Sequence, residues 1–233
     1  MAFRFQQFTV EDTRSTMKVG TDALLLGALT NPEQASRILD IGTGCGVLAL
    51  MMAQKSKAII DAIEMDEDSV TEASENFDKS PWNNRLACFG ISLQLVEFLT
   101  DHRYNLIISN PPFFKNSLKP PGEKKRLAKH DRSLSIDELL NAVSTLLNKH
   151  GRFSFIIPAD RWDETRKLAG IYQLYPLKLV RIYPYPGGKA TRIVAELTPE
   201  KPDHIDESEL TILNEERKFS QEYLDATKEF HYF

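Results

Sequence analysis

Between residues 37 and 197 the chain alternates short apolar runs with longer stretches whose apolar positions recur at helical spacing. Residues 37–41, 58–64, 86–89, 104–109 and 152–157 read as strands, and residues 23–29, 47–54, 66–79, 92–99, 135–148 and 160–169 as helices. Ser135 caps the fifth of these helices, with Asp137 and Glu138 in its first turn and Gly151 beyond its end. Two further runs, 177–183 and 192–197, flank Pro184-Tyr185-Pro186-Gly187-Gly188 and read as a closing antiparallel hairpin. Several strands are unbroken apolar runs, the mark of a parallel sheet covered on both faces. The pattern predicts a three-layer, doubly wound α/β fold. Its mostly parallel seven-stranded sheet carries an antiparallel hairpin at one edge.

Composition adds bounds to that picture. A chain of 233 residues with 42% apolar and 27% charged residues suits one domain with a substantial core, taken here as residues 1–233. The stretch from Ala23 to Leu29 is too short to span a bilayer and follows a mixed-charge N-terminus, so neither membrane insertion nor a signal peptide is expected. Two cysteines, Cys45 and Cys88, make no disulfide framework or metal cluster, which points to the cytoplasm and to no metal site. The net charge of −4 is uneven: residues 199–233 hold ten acids against four bases, an acidic C-terminal tail. The 18 residues from Lys115 to Arg132 carry seven Lys or Arg against Glu123 and Asp131. Such a run is either a solvated loop or a phosphate contact.

Asp40-Ile41-Gly42-Thr43-Gly44-Cys45-Gly46 lies at the first strand-to-helix turn. Glycines let a backbone turn sharply and approach a ligand, and the following helix N-terminus faces an anion. A dinucleotide fingerprint requires glycine where Val47 stands, which weighs against a nicotinamide cofactor. A ligand with a carboxylate and an ammonium group fits better, with Asp40 placed to orient the ammonium directly or through water. Glu64 ends the second strand, where a carboxylate can accept both hydroxyls of a ribose. Asp66 competes for that role but is equally a helix N-cap.

Asn110-Pro111-Pro112-Phe113 follows the apolar run 104–109 directly. Two prolines can neither continue a strand nor enter a helix interior, so a rigid loop opens at the carboxyl end of a buried strand, where open α/β sheets hold ligands. A side-chain amide, carbonyls fixed in direction and an aromatic ring can grip an amino group on a flat conjugated substrate.

These motifs together resemble the class I S-adenosylmethionine-dependent methyltransferases, a Rossmann-like family, from about Thr13 to Leu197. By that resemblance the turn from Asp40 to Gly46 and the acid Glu64 hold S-adenosylmethionine, and Asn110, Pro111, Pro112 and Phe113 form the catalytic motif of amino-group methylating members. Residues 1–36 would cover the cofactor, with Lys18, Thr21 and Asp22 lining its site; Thr21 or Asp22 could also cap the next helix. Asn110 would touch the cofactor as well as the base. The family's usual acid for the cofactor's adenine is missing from Cys88-Phe89-Gly90-Ile91-Ser92, which leaves Ser92 or a backbone carbonyl.

Adenine N6 in RNA, adenine N6 in DNA and a protein glutamine side chain are all targets of similar loops. The stretch from Arg126 to Asp131, residues 134–140, Gly151-Arg152-Phe153 and residues 222–230 are similar to the bacterial methyltransferases that make N6-methyladenosine at A37 of a valine tRNA. That resemblance implies a tRNA anticodon stem-loop as partner and no obligatory protein partner. Phe114 beside Phe113 would stack on the flipped base, with Lys124, Lys125, Arg126, Lys129 and His130 along the RNA. Arg181, Lys189 and Arg192 are secondary phosphate candidates. The alternatives are methylation of rRNA, DNA or protein glutamine, and, outside enzymes, an RNA-binding module with an inactive methyltransferase fold.

Overall fold

The computed structural model describes residues 2–99, 102–111 and 134–230. Among them an eight-stranded sheet is built from β3 (Arg37–Ile41), β4 (Ile59–Ile63), β5 (Leu86–Phe89), β6 (Tyr104–Ser109), β7 (Leu147–Pro158), β8 (Tyr175–Tyr183), β9 (Arg192–Thr198) and β10 (Asp206–Thr211). The spatial order is β10-β8-β9-β7-β6-β3-β4-β5. β1 (Ala2–Arg4) and β2 (Thr9–Glu11) pair separately and antiparallel. Strands β3 to β7 run parallel. The chain moves outward from β3 through β4 to β5, then returns to β6 on the other side of β3. That reversal creates a crevice at the carboxyl ends of β3 and β6, the usual ligand position in open α/β sheets.

Alternate strand residues feed two cores, which explains the unbroken apolar runs. Ile38, Ile60, Leu106 and Ile108 face one side, packed with α1 (Thr21–Leu29), α2 (Val47–Lys55) and α7 (Gln221–Thr227). Leu39, Ile63, Ile107, Phe153 and Phe155 face the other, under α4 (Leu93–Leu99), α5 (Ile136–Leu146) and α6 (Trp162–Ile171). Each such side chain contributes about 1.5–3 kcal/mol by leaving water. α3 (Glu67–Asp78) starts where the side chain of Asp66 accepts the Ser69 N–H at 2.9 Å, so Asp66 is the N-cap that the sequence allowed. Ser135 caps α5 as expected, in a reciprocal box with Glu138.

Three expectations change in detail. α5 ends at Leu146, and β7 begins at once, so Gly151 lies inside a strand. A Cβ there would sit 2.9 Å from the Tyr104 carbonyl oxygen, at the register shift between β6 and β7. α1 begins at Thr21 with Gly20 as N-cap and no side-chain cap, so neither Thr21 nor Asp22 serves as one. β8 and β9 are antiparallel as predicted, but β9 is inserted between β7 and β8, and β10 runs parallel to β8 to form the edge. The eighth strand comes from the acidic C-terminal stretch. Exposed acids crowd β10, yet Leu210, Tyr223 and Phe230 anchor this region in the core, with Phe230 only 1% exposed. Asp206, Glu207 and Glu209 then protect the sheet edge against further strand pairing. No described helix is long and apolar enough to cross a membrane.

Phe230 packs edge-on against Phe5, with centroids 6.4 Å apart, and ties the C-terminus to the N-terminal segment. Phe230→Ala should cost about 3–5 kcal/mol in urea unfolding. A wild-type midpoint would mean that residues 199–233 are an appendage after all.

Candidate functional site

The register of the central strands assembles the site. Ile41 pairs with Ile63 on one side and Ser109 on the other, and Ile63 pairs with Phe89. One step further along, Asn110, Gly42, Glu64 and Gly90 therefore stand in a row across the carboxyl end of the sheet, with strands about 4.8 Å apart. The Ser109 hydroxyl donates to the Ile41 carbonyl at 2.8 Å and fixes the end of β6 against β3. Asn110 is half-buried and Pro111 buried. Pro112, Phe113, Phe114, Lys124, Lys125, Arg126, Lys129 and His130 lie outside the described residues.

The turn after β3 needs glycine for stated reasons. Gly42, Gly44 and Gly46 all have positive φ, at 71°, 55° and 87°. A Cβ at Gly42 would meet nothing within 4 Å, so its exposed backbone faces open space that a ligand can enter. At Gly46, the N-cap of α2, a Cβ would sit 2.5 Å from the Phe77 ring. The Gly42 and Thr43 N–H groups donate to the Ile63 carbonyl at 2.9 and 3.1 Å, which fastens the turn to β4.

Glu64 completes that fastening. Its carboxylate accepts the Gly44 N–H at 3.1 Å, the Met65 N–H at 2.7 Å and the Asp66 N–H at 3.1 Å. A carboxylate has about four acceptor positions, so capacity remains for a hydroxyl. Asp40 is fully buried: one oxygen accepts from the Thr43 hydroxyl at 2.6 Å and the Ala49 N–H at 3.1 Å, and Oδ1 has no partner. Burial pushes its pKa up to about 7, against the pull of those two hydrogen bonds. An orphaned buried acceptor is rare and calls for a donor. Cys45 and Cys88 are free thiols that burial raises to about 12, so neither is a nucleophile at neutral pH.

Residues 12–20 lie over the turn, held by residues that sequence reasoning missed. The buried carboxylate of Glu72 accepts the N–H groups of Thr13, Arg14 and Ser15 at 2.7, 2.9 and 2.7 Å, and the Thr13 hydroxyl at 3.1 Å. Burial alone would raise its pKa, but those bonds outweigh it and hold the group below the usual carboxylate range. One turn on, the Asn76 amide donates to the Glu11 and Cys45 carbonyls, both at 2.8 Å. The available signal was spacing: Ser69, Glu72, Ala73, Asn76 and Phe77 form the buried stripe of α3, and three of the five are polar.

Of the expected N-terminal residues, Lys18 Nζ donates to the carbonyls of Asp12, Thr13 and Ser15, the last at 3.0 Å, and so shapes the covering segment. Thr21 is exposed, and Asp22 accepts from Arg192 Nε at 2.8 Å. Arg181 pairs with Glu207 at 2.7 Å, whereas Lys189 is exposed. Ser92 lines a cleft of about 480 Å³ together with Gly42, Met65, Ile91 and Glu138. Its mixed apolar walls and few polar groups suit a planar, partly polar ligand. Among the described residues no cluster of metal-ligating side chains occurs.

A group with a ribose, an ammonium and a flat base fits these residues. Open space faces Gly42, one buried oxygen of Asp40 lacks a donor, and the cleft runs on from Gly42 to Ser92. The family model described as Methyltransferase small domain matches residues 13–159. A Bacteroides fragilis protein named tRNA1(Val) (adenine(37)-N6)-methyltransferase is 40% identical over 230 residues, covering 98% of this chain and 97% of that one. A protein of the same name from Flavobacterium johnsoniae is 38% identical, covering 98% of each. Among solved structures, one described as a predicted O-methyltransferase from Agrobacterium tumefaciens superposes with a TM-score of 0.71 at 20% identity, over 90% of this chain and 96% of that one. The ribosomal protein L11 methylase of Lactobacillus delbrueckii does so with a TM-score of 0.58 at 17% identity, over 83% and 84%. At such identities the likeness establishes the fold.

The Glu72 clamp makes a test independent of any ligand. Glu72→Ala leaves buried donors without an acceptor and should cost about 3 kcal/mol near pH 7. Glu72→Gln, which keeps one acceptor oxygen, should cost less. Because the folded-state pKa is depressed, the carboxylate's contribution is present above the ordinary value of about 4.3 and is lost as pH falls through the lower folded value. The gap between wild type and Glu72→Gln should therefore close in acid, as read by urea unfolding at a series of pH values. A gap that is the same at pH 7 and pH 3.5 would sink this account.

Proposed function

We propose the chemistry of this site from one premise: the chain belongs to the methyltransferase small-domain family, and within it to the tRNA1(Val) (adenine(37)-N6)-methyltransferases. It is an S-adenosylmethionine-dependent enzyme that methylates N6 of adenosine in tRNA. The observation that carries the residue assignment is the position of Asn110 and Pro111 directly beside Gly42 at the switch point of the sheet.

In this reading Gly42, Gly44 and Gly46 give backbone access to the cofactor, Asp40 accepts from its ammonium group, and Glu64 accepts from its ribose. The cofactor's adenine lies in the cleft beside Ser92, and the segment that carries Lys18, Thr21 and Asp22 covers the cofactor's methionine end. S-adenosylmethionine supplies a methyl group on a positively charged sulfur. The chain's own task is to present the nucleophile. The N6 lone pair of adenine is delocalised into the ring, so the amine attacks poorly as it stands. The Asn110 side-chain oxygen and the Pro111 carbonyl accept its two N–H groups and favour a pyramidal nitrogen whose lone pair points along one line. The N6 proton, acidic once the nitrogen carries a methyl group, leaves to solvent. Positioning and fixed dipoles provide most of the acceleration. Phe113 and Phe114 stack on the extruded base, and Pro112 stiffens the loop that holds them.

The substrate face is the anticodon stem-loop, where an unpaired adenosine is cheap to flip. Lys124, Lys125, Arg126, Lys129 and His130 follow its backbone. A tRNA substrate and two free thiols support a cytoplasmic location. Residues 1–233 act as one methyltransferase domain, with residues 1–36 covering the cofactor.

Labelled methyl transfer from S-adenosylmethionine to unmodified tRNA, followed by nucleoside analysis, should give N6-methyladenosine at A37 of valine tRNA. Label in rRNA, DNA or a protein glutamine instead would discard the substrate while keeping the cofactor site. Asn110→Ala should lower turnover at least about a thousandfold while S-adenosylhomocysteine still binds; a wild-type rate would remove Asn110 from the mechanism.

Asp40 predicts a pH dependence. Its folded pKa is raised to about 7, so the carboxyl is largely protonated below that pH and must ionise to accept an ammonium. Affinity for S-adenosylhomocysteine should rise by up to about tenfold per unit as pH approaches 7 and level off above it. Asp40→Asn should flatten that profile. A wild-type profile that is already flat would show that Asp40 does not face the ammonium.

A further inference from the structure

The sheet end that carries Asn110 also holds a second hollow, of about 300 Å³, which the methyl-transfer site does not use. Tyr185, Pro186, Leu213, Asn214, Glu215 and Arg217 line it. One wall is the β8–β9 connection and the other is the turn after β10. The Ile212 N–H donates to Tyr183 O at 2.8 Å and the Leu213 N–H to Pro184 O at 3.1 Å, so the walls are fixed relative to each other. β8 is antiparallel to β9 and β9 to β7, so β8 points the same way as β6. Three strand spacings, about 14 Å, separate the two strands across the sheet, and the register sets Ile182 level with Pro158, two residues beyond the level of Asn110.

Two features of the hollow are unexplained by folding. Tyr185 is 57% exposed, on a loop that Pro184 and Pro186 stiffen. Arg217 has φ of 60°, the left-handed region where glycine is unstrained, and it is one of two described residues other than glycine with positive φ. The turn closes through Asn214, whose N–H donates to Lys218 O at 2.8 Å and whose Oδ1 accepts the Lys218 N–H at 3.0 Å. A glycine at 217 would serve that turn at least as well. Strain retained at an exposed position suggests that the side chain is wanted for another purpose.

We infer that this hollow is a second nucleotide subsite for the tRNA, taking an unpaired base close in the loop to the methylated adenosine. The inference rests on the tRNA reading above. Tyr185 stacks on the base, which is tolerant of base identity. Glu215 and Asn214 accept from an exocyclic amino group, the part of a base edge that a carboxylate recognises. The negative charge of Glu215 keeps phosphate away from its own side of the hollow, and exposed Arg217 takes the phosphate.

The test uses the full-length enzyme and an unmodified valine tRNA transcript, with steady-state methylation, fluorescence anisotropy for binding, and thermal melting. Tyr185→Ala should weaken tRNA binding about tenfold, the loss appearing in KM rather than kcat, and Tyr185→Phe should restore binding to within about twofold. Arg217→Gly should melt at or above the wild-type temperature yet bind tRNA more weakly, with a salt slope shallower by about one. Wild-type binding by Tyr185→Ala, or by a stabilised Arg217→Gly, overturns the subsite. If wild type methylates no tRNA, the functional reading falls first and the subsite with it. If wild type methylates and Tyr185→Ala is indistinguishable, the subsite alone falls.

Discussion

A single buried carboxylate, that of Glu72, joins the N-terminal segment to the working end of the sheet. Its oxygens accept from three successive backbone N–H groups and one hydroxyl, a set of donors that burial would otherwise leave unsatisfied. The segment has little apolar anchorage of its own between Glu11 and Val19: only Ser15 is buried there. Its path is therefore set by polar bonds to α3, with Asn76 repeating the device one turn away toward Glu11 and Cys45. Through Asn76 the same helix grips the glycine turn, so the turn and its cover are indexed to one rigid element. Lys18 adds a second constraint by gathering three carbonyls of the segment around its ammonium.

The sheet's topology supplies the other half of the arrangement. Asn110 and Gly42 come from strands distant in sequence, yet the return crossing from β5 to β6 makes them neighbours at the crevice. The Ser109 hydroxyl bonded to the Ile41 carbonyl fixes their relative height. A site built at the ends of strands this deeply buried inherits their rigidity, which methyl transfer along one line requires.

Much of this was legible in the sequence because it followed from short-range chemistry. The apolar runs at 37–41 and 104–109 announced buried strands, and Asp66 and Ser135 announced helix starts by residue type alone. The glycine turn and Asn110-Pro111 were readable because few other residues satisfy their backbone demands. The failures share a cause too. Residues 199–233 read as a tail because ten acids mask three anchoring side chains, Leu210, Tyr223 and Phe230, which pack in a core built mostly from distant parts of the chain. The placement of β9 between β7 and β8 is a matter of long-range register, which no local pattern carries. Glu72 was missed because a glutamate on a charged helix looks solvated until its spacing with Asn76 and Phe77 is considered.

Asp40 and Glu72 show how one residue chemistry serves two ends. Both carboxylates are fully buried, and burial opposes the charge on each. Glu72 is saturated with donors, so it stays ionised and stabilises the fold. Asp40 has two donors on one oxygen and none on the other, so it is raised to about 7, where a small change in surroundings decides its charge. Folding alone gains nothing from leaving that oxygen bare, since a third protein donor would satisfy it at less cost. The proposed contact with an ammonium group would supply that oxygen with a donor. A structural carboxylate completes its bonds within the protein, and a recognition carboxylate keeps one open. Glu72 thus belongs to the scaffold, while Asp40 keeps the open acceptor that the proposed ammonium contact uses.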